Sequence, residues 1–106
     1  MDKEMTRDEA VRLLAESRAK IDELDRQLVE LLNHRTRIVE DIGRAKEASG
    51  LPIYEPNRED DVYRNVQSHN QGPLTAEALR GIYERIIDEM RSLQRIRLAK
   101  RSQGDV

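Results

Sequence analysis

An uninterrupted helical pattern over residues 6–50 limits what this chain can fold into more than any other feature of its sequence. The pattern begins with a capping box, in which the Thr6 hydroxyl and the Glu9 carboxylate each accept a hydrogen bond from the other residue's backbone amide. It ends at Gly50, a residue suited to the left-handed conformation that terminates helices, with Pro52 shortly after it. At 1.5 Å per residue, such a helix is about 60–65 Å long. A compact monomer of 106 residues cannot bury it.

Apolar residues recur at intervals of three and four along the second half of this helix, as on a face that packs against a partner. The apolar stripe consists of Ile21, Leu24, Leu28, Leu31, Ile38, Ile42 and Ala45, and it is widened by Leu32 and Val39. Arg35 interrupts the stripe, and a buried guanidinium needs an anionic partner. Lys46 returns to within about 20° of the same face. The sequence therefore predicts two cations facing one interior, although a lysine near a helix end can also extend to solvent.

A third cation, Arg18, precedes the stripe by one helical turn. On one helix, Arg18 and Arg35 would lie roughly 25 Å apart and about 100° around the axis from each other. A small ligand therefore cannot contact both arginines of the same chain.

A second helix is predicted over residues 56–69, with Pro56 at its first position and Glu55 as its cap. Its apolar face consists of Val62, Tyr63 and Val66. Glu59 lies on that face, because it precedes these residues by three, four and seven positions. A carboxylate in the first turn also complements the helix dipole. Because Arg35 and Lys46 are also predicted to face the interior, Glu59 is a candidate for binding a ligand.

A third helix is predicted over residues 76–100, with Thr75 as its cap and residues 70–73 as the preceding turn. Its stripe consists of Leu79, Ile82, Tyr83, Ile86, Ile87, Met90 and Leu93. Gln94 extends this stripe. A glutamine in this position is often a partly exposed residue near a helix end, but it is also a neutral hydrogen-bond donor aimed at the interior.

The composition of the 106 residues narrows the classes of function. We expect a single domain, with residues 1–5 as a polar leader and residues 101–106 as a frayed tail. The net charge of −2 gives no basic field for nucleic acid, and no apolar run is long enough for a membrane span or a signal peptide. The chain contains no cysteine, which is consistent with a reducing compartment. A soluble cytoplasmic protein is expected.

The sequence lacks the motifs of several kinds of catalysis. His34 and His69 have no cysteine or clustered carboxylates at ligand spacing, so no metal site is predicted. A glycine-rich phosphate loop and a nucleophile motif are also absent, which leaves covalent catalysis without support. What remains is a helical interior with arginine, lysine, glutamate and glutamine. Such an interior is typical of a pocket for a small dianion that carries a hydroxyl group.

Five short motifs in this order and spacing resemble the all-helical class of chorismate mutase. They are Arg18-x-x-Ile21-x-x-Leu24-Asp25, Leu31-Leu32-x-x-Arg35, Ile42-Gly43-x-Ala45-Lys46, Glu55-Pro56-x-Arg58-Glu59, and Ile86-Ile87 with Gln94. The resemblance spans nearly the whole chain. It implies an all-α fold with three helices per chain, a very long first helix, and an intertwined homodimer in which each active site borrows an arginine from the partner.

The resemblance also implies a reaction and a set of site residues. The reaction is the Claisen rearrangement of chorismate to prephenate in aromatic amino acid biosynthesis, catalysed by an isomerase without a cofactor. Arg35 and the Arg18 of the partner chain would bind the two carboxylates of chorismate. Lys46 and Gln94 would contact the ether oxygen, and Glu59 would bind the ring hydroxyl.

Three further positions are implied to line the same pocket. Arg58 would add positive charge, and Glu55 would lie near the hydroxyl. In well-known members of the family, an aspartate often stands where Glu55 falls, and a serine that contacts a carboxylate stands where Met90 falls. Met90 cannot donate a hydrogen bond, so this departure bears on substrate affinity more than on the type of reaction.

Three alternative functions remain open from the sequence. An isochorismate pyruvate lyase resembles the same fold and carries similar cations. A non-catalytic helical dimerisation module would leave Arg35 and Glu59 without a purpose. In a regulatory role, the chain would associate with another enzyme of the shikimate pathway, to which similar domains are fused or bound.

Overall fold

The computed structural model describes residues 4–104, the side chains of residues 102–104 excepted. Over this range the chain forms three α-helices and no β-strand: α1 (Arg7–Ser49), α2 (Pro56–Ser68) and α3 (Ala76–Gly104). The prediction of an all-α fold with a very long first helix is confirmed, since α1 alone has 43 residues. The polar leader and the frayed tail fall partly outside the described residues, and both stay predictions.

Both ends of α1 follow from local backbone chemistry. The Thr6 amide donates to Glu9 Oε2 over 3.2 Å, and the Glu9 amide donates to Thr6 Oγ1 over 3.1 Å, so the predicted capping box is confirmed. At the other end, Gly50 has a φ of +72°, and the Leu51 amide donates to the Lys46 carbonyl over 2.9 Å. This left-handed residue ends the helix and turns the chain back along it.

The starts of α2 and α3 differ in how they are capped. Thr75 Oγ1 accepts a hydrogen bond from the Ala78 amide over 3.1 Å, as predicted for the cap of α3. Glu55 occupies the N-cap position of α2, as predicted, but its side chain makes no capping hydrogen bond. The Glu55 carboxylate pairs with Lys46 instead. Helix α3 continues to Gly104, past the predicted end at residue 100.

Two compact units divide the chain, the first ending at Arg35 and the second beginning at Thr36. The first unit contains the N-terminal part of α1, and its stripe residues Ile21, Leu24, Leu28 and Leu31 are between 52% and 63% exposed. No residue of α1, which is described throughout, is buried.

The second unit contains the end of α1 together with α2 and α3. Helices α2 and α3 pack against each other, and among the described residues of this unit the buried apolar ones are Ile87 and Met90 of α3. None of the helices within residues 4–104 combines the length and the apolar character that crossing a membrane requires.

Candidate active site

Lys46 lies near the end of α1, where the returning chain encloses its ammonium group. Its Nζ donates to the Ile53 carbonyl over 2.8 Å and pairs with Glu55 Oε1 at 2.9 Å. The turn at Gly50 makes both contacts feasible, because it brings the connecting segment back alongside the helix. The Lys46 side chain is only 13% exposed, so it does not extend into solvent. Among the described residues these contacts use two of its three N–H groups, which leaves one for a ligand.

Gln94 reaches from α3 to the backbone of α1. Its Nε2 donates to the Val39 carbonyl over 3.2 Å, and the side chain is half-buried. Gly43 of α1 lies next to it: a Cβ atom at this glycine would be 3.7 Å from Gln94 Cγ, an ordinary contact distance. Within residues 4–104, the Val39 contact uses one of the two amide hydrogens of Gln94, and the other remains for a ligand.

Lys46 and Gln94 line the same groove between the end of α1, the connecting segment and α3. The groove is lined by Thr36, Val39, Glu40, Gly43, Lys46, Glu47, Leu51, Ile53, Leu93, Gln94, Arg97, Leu98 and Arg101. Arg97 pairs with Glu40 at 2.7 Å, and Arg101 pairs with Glu47, so two ion pairs join α3 to α1 along the groove. Lys46 and Gln94 thus line this groove beside two arginines that are already paired with carboxylates. A cation and a neutral donor lining one groove can stabilise negative charge on a ligand oxygen.

Glu59 of α2 binds a residue that the sequence analysis did not select. Arg91 NH2 of α3 donates to Glu59 Oε2 over 2.5 Å, and both side chains are about one-fifth exposed. Arg91 NH1 lies 3.5 Å from Asp88 Oδ1, and its guanidinium carbon lies 4.9 Å from the centre of the Tyr54 ring. The hydrogen bond with Glu59 raises the pKa of Arg91. The Glu59 carboxylate is therefore held by a permanent cation.

The sequence contains a signal for Arg91. It lies four residues after Ile87 and three before Gln94, which places it on the inward face of α3. Hydrophobic periodicity alone does not select Arg91, because the apolar residues define the stripe without a charged position. Arg91 is instead selected by the criterion that a charge shares a face with Gln94.

The other predicted site residues have different surroundings. Arg18 is exposed and Arg35 half-buried, both in the unit that ends at Arg35. Arg58 is exposed in the first turn of α2. Met90 of α3 is buried, at 6% exposure. The structure thus brings Lys46 together with Glu55 and Gln94, and the roles of the remaining residues stay predictions.

Comparisons with known proteins relate this chain to one family. Residues 17–95 match the family model described as chorismate mutase type II. A bifunctional chorismate mutase/prephenate dehydratase from Aquifex aeolicus is 35% identical over 86 residues, which cover 77% of this chain and 24% of that protein. The chain thus spans about a quarter of the length of this curated relative.

Solved structures of similar length match the three-helix architecture. The structure of chorismate mutase from Helicobacter pylori in complex with prephenate is 33% identical, with a TM-score of 0.77, covering 83% of this chain and 96% of that one. A chorismate mutase structure from Thermus thermophilus is 32% identical, with a TM-score of 0.75, covering 79% of this chain and 94% of that one.

Proposed function

This chain belongs to the chorismate mutase type II family, and we propose that it catalyses the rearrangement of chorismate to prephenate. The observation that carries the proposal is the groove in which Lys46 and Gln94 converge from α1 and α3. Each side chain is held by a carbonyl of the protein, Ile53 for the lysine and Val39 for the glutamine. Donors that are already oriented need little rearrangement when charge develops in front of them.

The reaction requires no group from the protein to become covalently attached. In a Claisen rearrangement, the ether C–O bond breaks while a new C–C bond forms between the enolpyruvyl side chain and the ring, and negative charge builds on the ether oxygen. Lys46 and Gln94 stabilise that oxygen, an effect worth about 3–4 kcal/mol for a well-placed donor. The enzyme is an isomerase whose own groups supply orientation and electrostatics.

The remaining site residues are assigned by resemblance to the family. Arg35, together with Arg18 from a second copy of the chain, binds the two carboxylates and folds the substrate into its reactive conformer. Glu59 accepts a hydrogen bond from the ring hydroxyl, and Arg58 contributes positive charge at the pocket. Met90, which is buried, contributes an apolar wall where other members have a serine.

Glu55 has a more specific assignment, because it contacts a proposed catalytic group. Its carboxylate pairs with the Lys46 ammonium at 2.9 Å while remaining 42% exposed. We therefore place Glu55 at the edge of the pocket, where it orients Lys46 toward the ether oxygen and lies near the substrate hydroxyl.

An intertwined homodimer is part of the proposal. The stripe residues Ile21, Leu24, Leu28 and Leu31 of α1 are each more than half exposed in a single chain, and contiguous apolar surface of this kind marks an interface. An antiparallel second copy would cover the stripe and bring its Arg18 toward Arg35. Sedimentation of the purified protein at micromolar concentration is expected to give a dimer. A folded monomer at that concentration would contradict this arrangement.

The cellular setting is proposed on more general grounds. The Aquifex aeolicus relative is named as a bifunctional enzyme with a prephenate dehydratase activity. We propose that the present chain likewise supplies prephenate to another enzyme of the shikimate pathway, in the cytoplasm. Co-purification of such an enzyme from the source cell would test the association. The co-purification should be lost when exposed side chains of α3 are changed.

Incubation with chorismate tests the proposed activity directly. The loss of chorismate absorbance is followed with purified protein, and the product is identified by mass spectrometry and chromatography. Prephenate is expected from chorismate, and Lys46→Ala should remove most of the rate. Release of pyruvate from isochorismate, with chorismate unchanged, would instead identify a lyase. Failure to convert either compound would favour a non-catalytic dimerisation module.

A further inference from the structure

The pair formed by Arg91 and Glu59 goes beyond the residues that the family resemblance assigns. We propose that Arg91 is a positioning residue for the reaction: it holds one oxygen of the Glu59 carboxylate so that the other oxygen faces the substrate. The inference rests on the proposed function, in which Glu59 contacts the substrate and Arg91 does not.

The geometry of the pair differs from that of the surface ion pairs in the second unit. Arg91 and Glu59 are 32 residues apart and lie on different helices, so the contact forms only when α2 and α3 pack. Their side chains are 20% and 21% exposed. In contrast, Arg85 and Glu89 form a pair within one helix and are 78% and 60% exposed. The half-buried pair of Arg91 and Glu59 is less screened by water and therefore constrains the carboxylate more strongly.

The guanidinium of Arg91 is itself constrained on several sides. One terminal nitrogen binds Glu59, the other lies near Asp88, and the Tyr54 ring covers the guanidinium plane. Its Nε is enclosed and finds no hydrogen-bond partner among the described residues. An enclosed donor without a partner is destabilising, and a buried ion pair can often be replaced by apolar residues without loss of stability. Stability alone therefore does not explain an arginine at this position.

The contact with Arg91 occupies only one oxygen of the Glu59 carboxylate. A carboxylate has two oxygens, and Arg91 binds only Oε2, so Oε1 keeps its lone pairs for another donor. Among the described residues, ionisable groups that act on this pair include Asp88, 3.5 Å from Arg91 NH1, together with Tyr54 and Tyr63. Burial raises the pKa of Tyr63, with Glu84 as the next contribution, so its phenol stays neutral near pH 7. Arg91 is the cation that orients the Glu59 carboxylate.

A double-mutant cycle separates this positioning role from a structural one. The variants are Arg91→Met, Glu59→Gln and the combination of both, with kcat and KM measured on chorismate. Arg91→Met in the wild-type background should lower kcat/KM about 10-fold or more, because the carboxylate loses its orientation. In the Glu59→Gln background, the same change should lower kcat/KM by less than about twofold. Arg91→Lys should recover part of the loss, since it keeps the charge without the planar fork.

Two controls define the outcome. Arg85→Met removes an exposed arginine from the same helix and should leave kcat/KM unchanged. Circular dichroism and thermal unfolding identify any variant that fails to fold. If Arg91→Met does not fold, Arg91→Lys replaces it in the double-mutant cycle with Glu59→Gln. If the wild-type enzyme is active but the effects of the Arg91 and Glu59 substitutions on kcat/KM are additive, the positioning role is wrong while the proposed function stands. A wild-type protein that does not convert chorismate would overturn the proposed function, and this inference with it.

Discussion

Lys46 and Gln94 line the same groove but differ in charge. The ammonium group of Lys46 carries a full charge, so it attracts an anionic ligand both before and during the reaction. Gln94 is neutral, and its hydrogen bond strengthens mainly as negative charge grows on the acceptor. Replacing Gln94 therefore separates the stabilisation of the transition state from the binding of the substrate.

Truncation of Gln94 provides the first prediction at this scale. Gln94→Ala should lower kcat by on the order of 10²-fold while raising KM much less, because the lost donor acts mainly in the transition state. Steady-state kinetics on chorismate measure both constants. A change confined to KM would instead place Gln94 among the groups that bind substrate and transition state equally.

Replacement of Gln94 by glutamate adds a dependence on pH. An ionised carboxylate at this position repels the charge developing on the ether oxygen, whereas a protonated carboxyl donates a hydrogen bond from the same place. The activity of Gln94→Glu should therefore rise as the pH falls and the introduced carboxyl takes up a proton. Wild-type activity should vary little over the same range. A flat profile for Gln94→Glu with near wild-type rates would place Gln94 outside the site.

At the scale of the helices, the local sequence encodes where each element begins and ends. The capping box at Thr6, the cap at Thr75 and the left-handed Gly50 could all be predicted because each depends on residues within one turn of the chain. The conformation at Gly50 is accessible to glycine at little cost, whereas a side chain there would be strained although no atom lies within 4 Å of its Cβ position.

Two glycines with equally open surroundings provide a prediction about these elements. A Cβ at Gly50 or at Gly81 would meet nothing within 4 Å, but only Gly50 has a positive φ. Gly50→Ala should lower the free energy of unfolding by about 1 kcal/mol, through strain in the left-handed conformation. Gly81→Ala, within α3, should raise it by roughly 0.5–1 kcal/mol. Urea unfolding at one protein concentration compares them, and the same sign for both would contradict the argument.

Contacts between elements explain what the sequence did not predict. Glu55 stands at an N-cap position and would cap α2 if only its neighbours mattered, but the charge of Lys46 lies within reach once the chain turns at Gly50. Arg91 was missed for the same reason, since its partner Glu59 is 32 residues away. Local patterns predict helices and their ends, whereas ion pairs across helices depend on packing that a single helix does not contain.

At the scale of the whole molecule, the chain leaves its longest apolar surface uncovered. The stripe of α1 has the periodicity of a packed face, yet Ile21, Leu24, Leu28 and Leu31 are each more than half exposed. Arg18 lies one turn before this stripe and Arg35 lies within it, after Leu31. The Arg18 of one copy would therefore approach the Arg35 of the other only if the two copies run antiparallel. The proposed active site is therefore complete only in an assembly of two chains.

Mixing two inactive variants tests this shared site. Arg18→Ala and Arg35→Ala should each be nearly inactive as homodimers, because every site then lacks one arginine for the substrate carboxylates. In a heterodimer of the two variants, one site carries both substitutions and the other carries neither. Statistical exchange makes half of the dimers heterodimeric, so activity should return to about a quarter of the wild-type value. Exchange is verified by native mass spectrometry with one variant isotopically labelled. A mixture of Arg18→Ala with Lys46→Ala is the matched comparison, and it should recover activity in the same way, since Lys46 and Arg35 are proposed to act from one chain. If verified heterodimers are as inactive as their parents, Arg18 does not act across the interface.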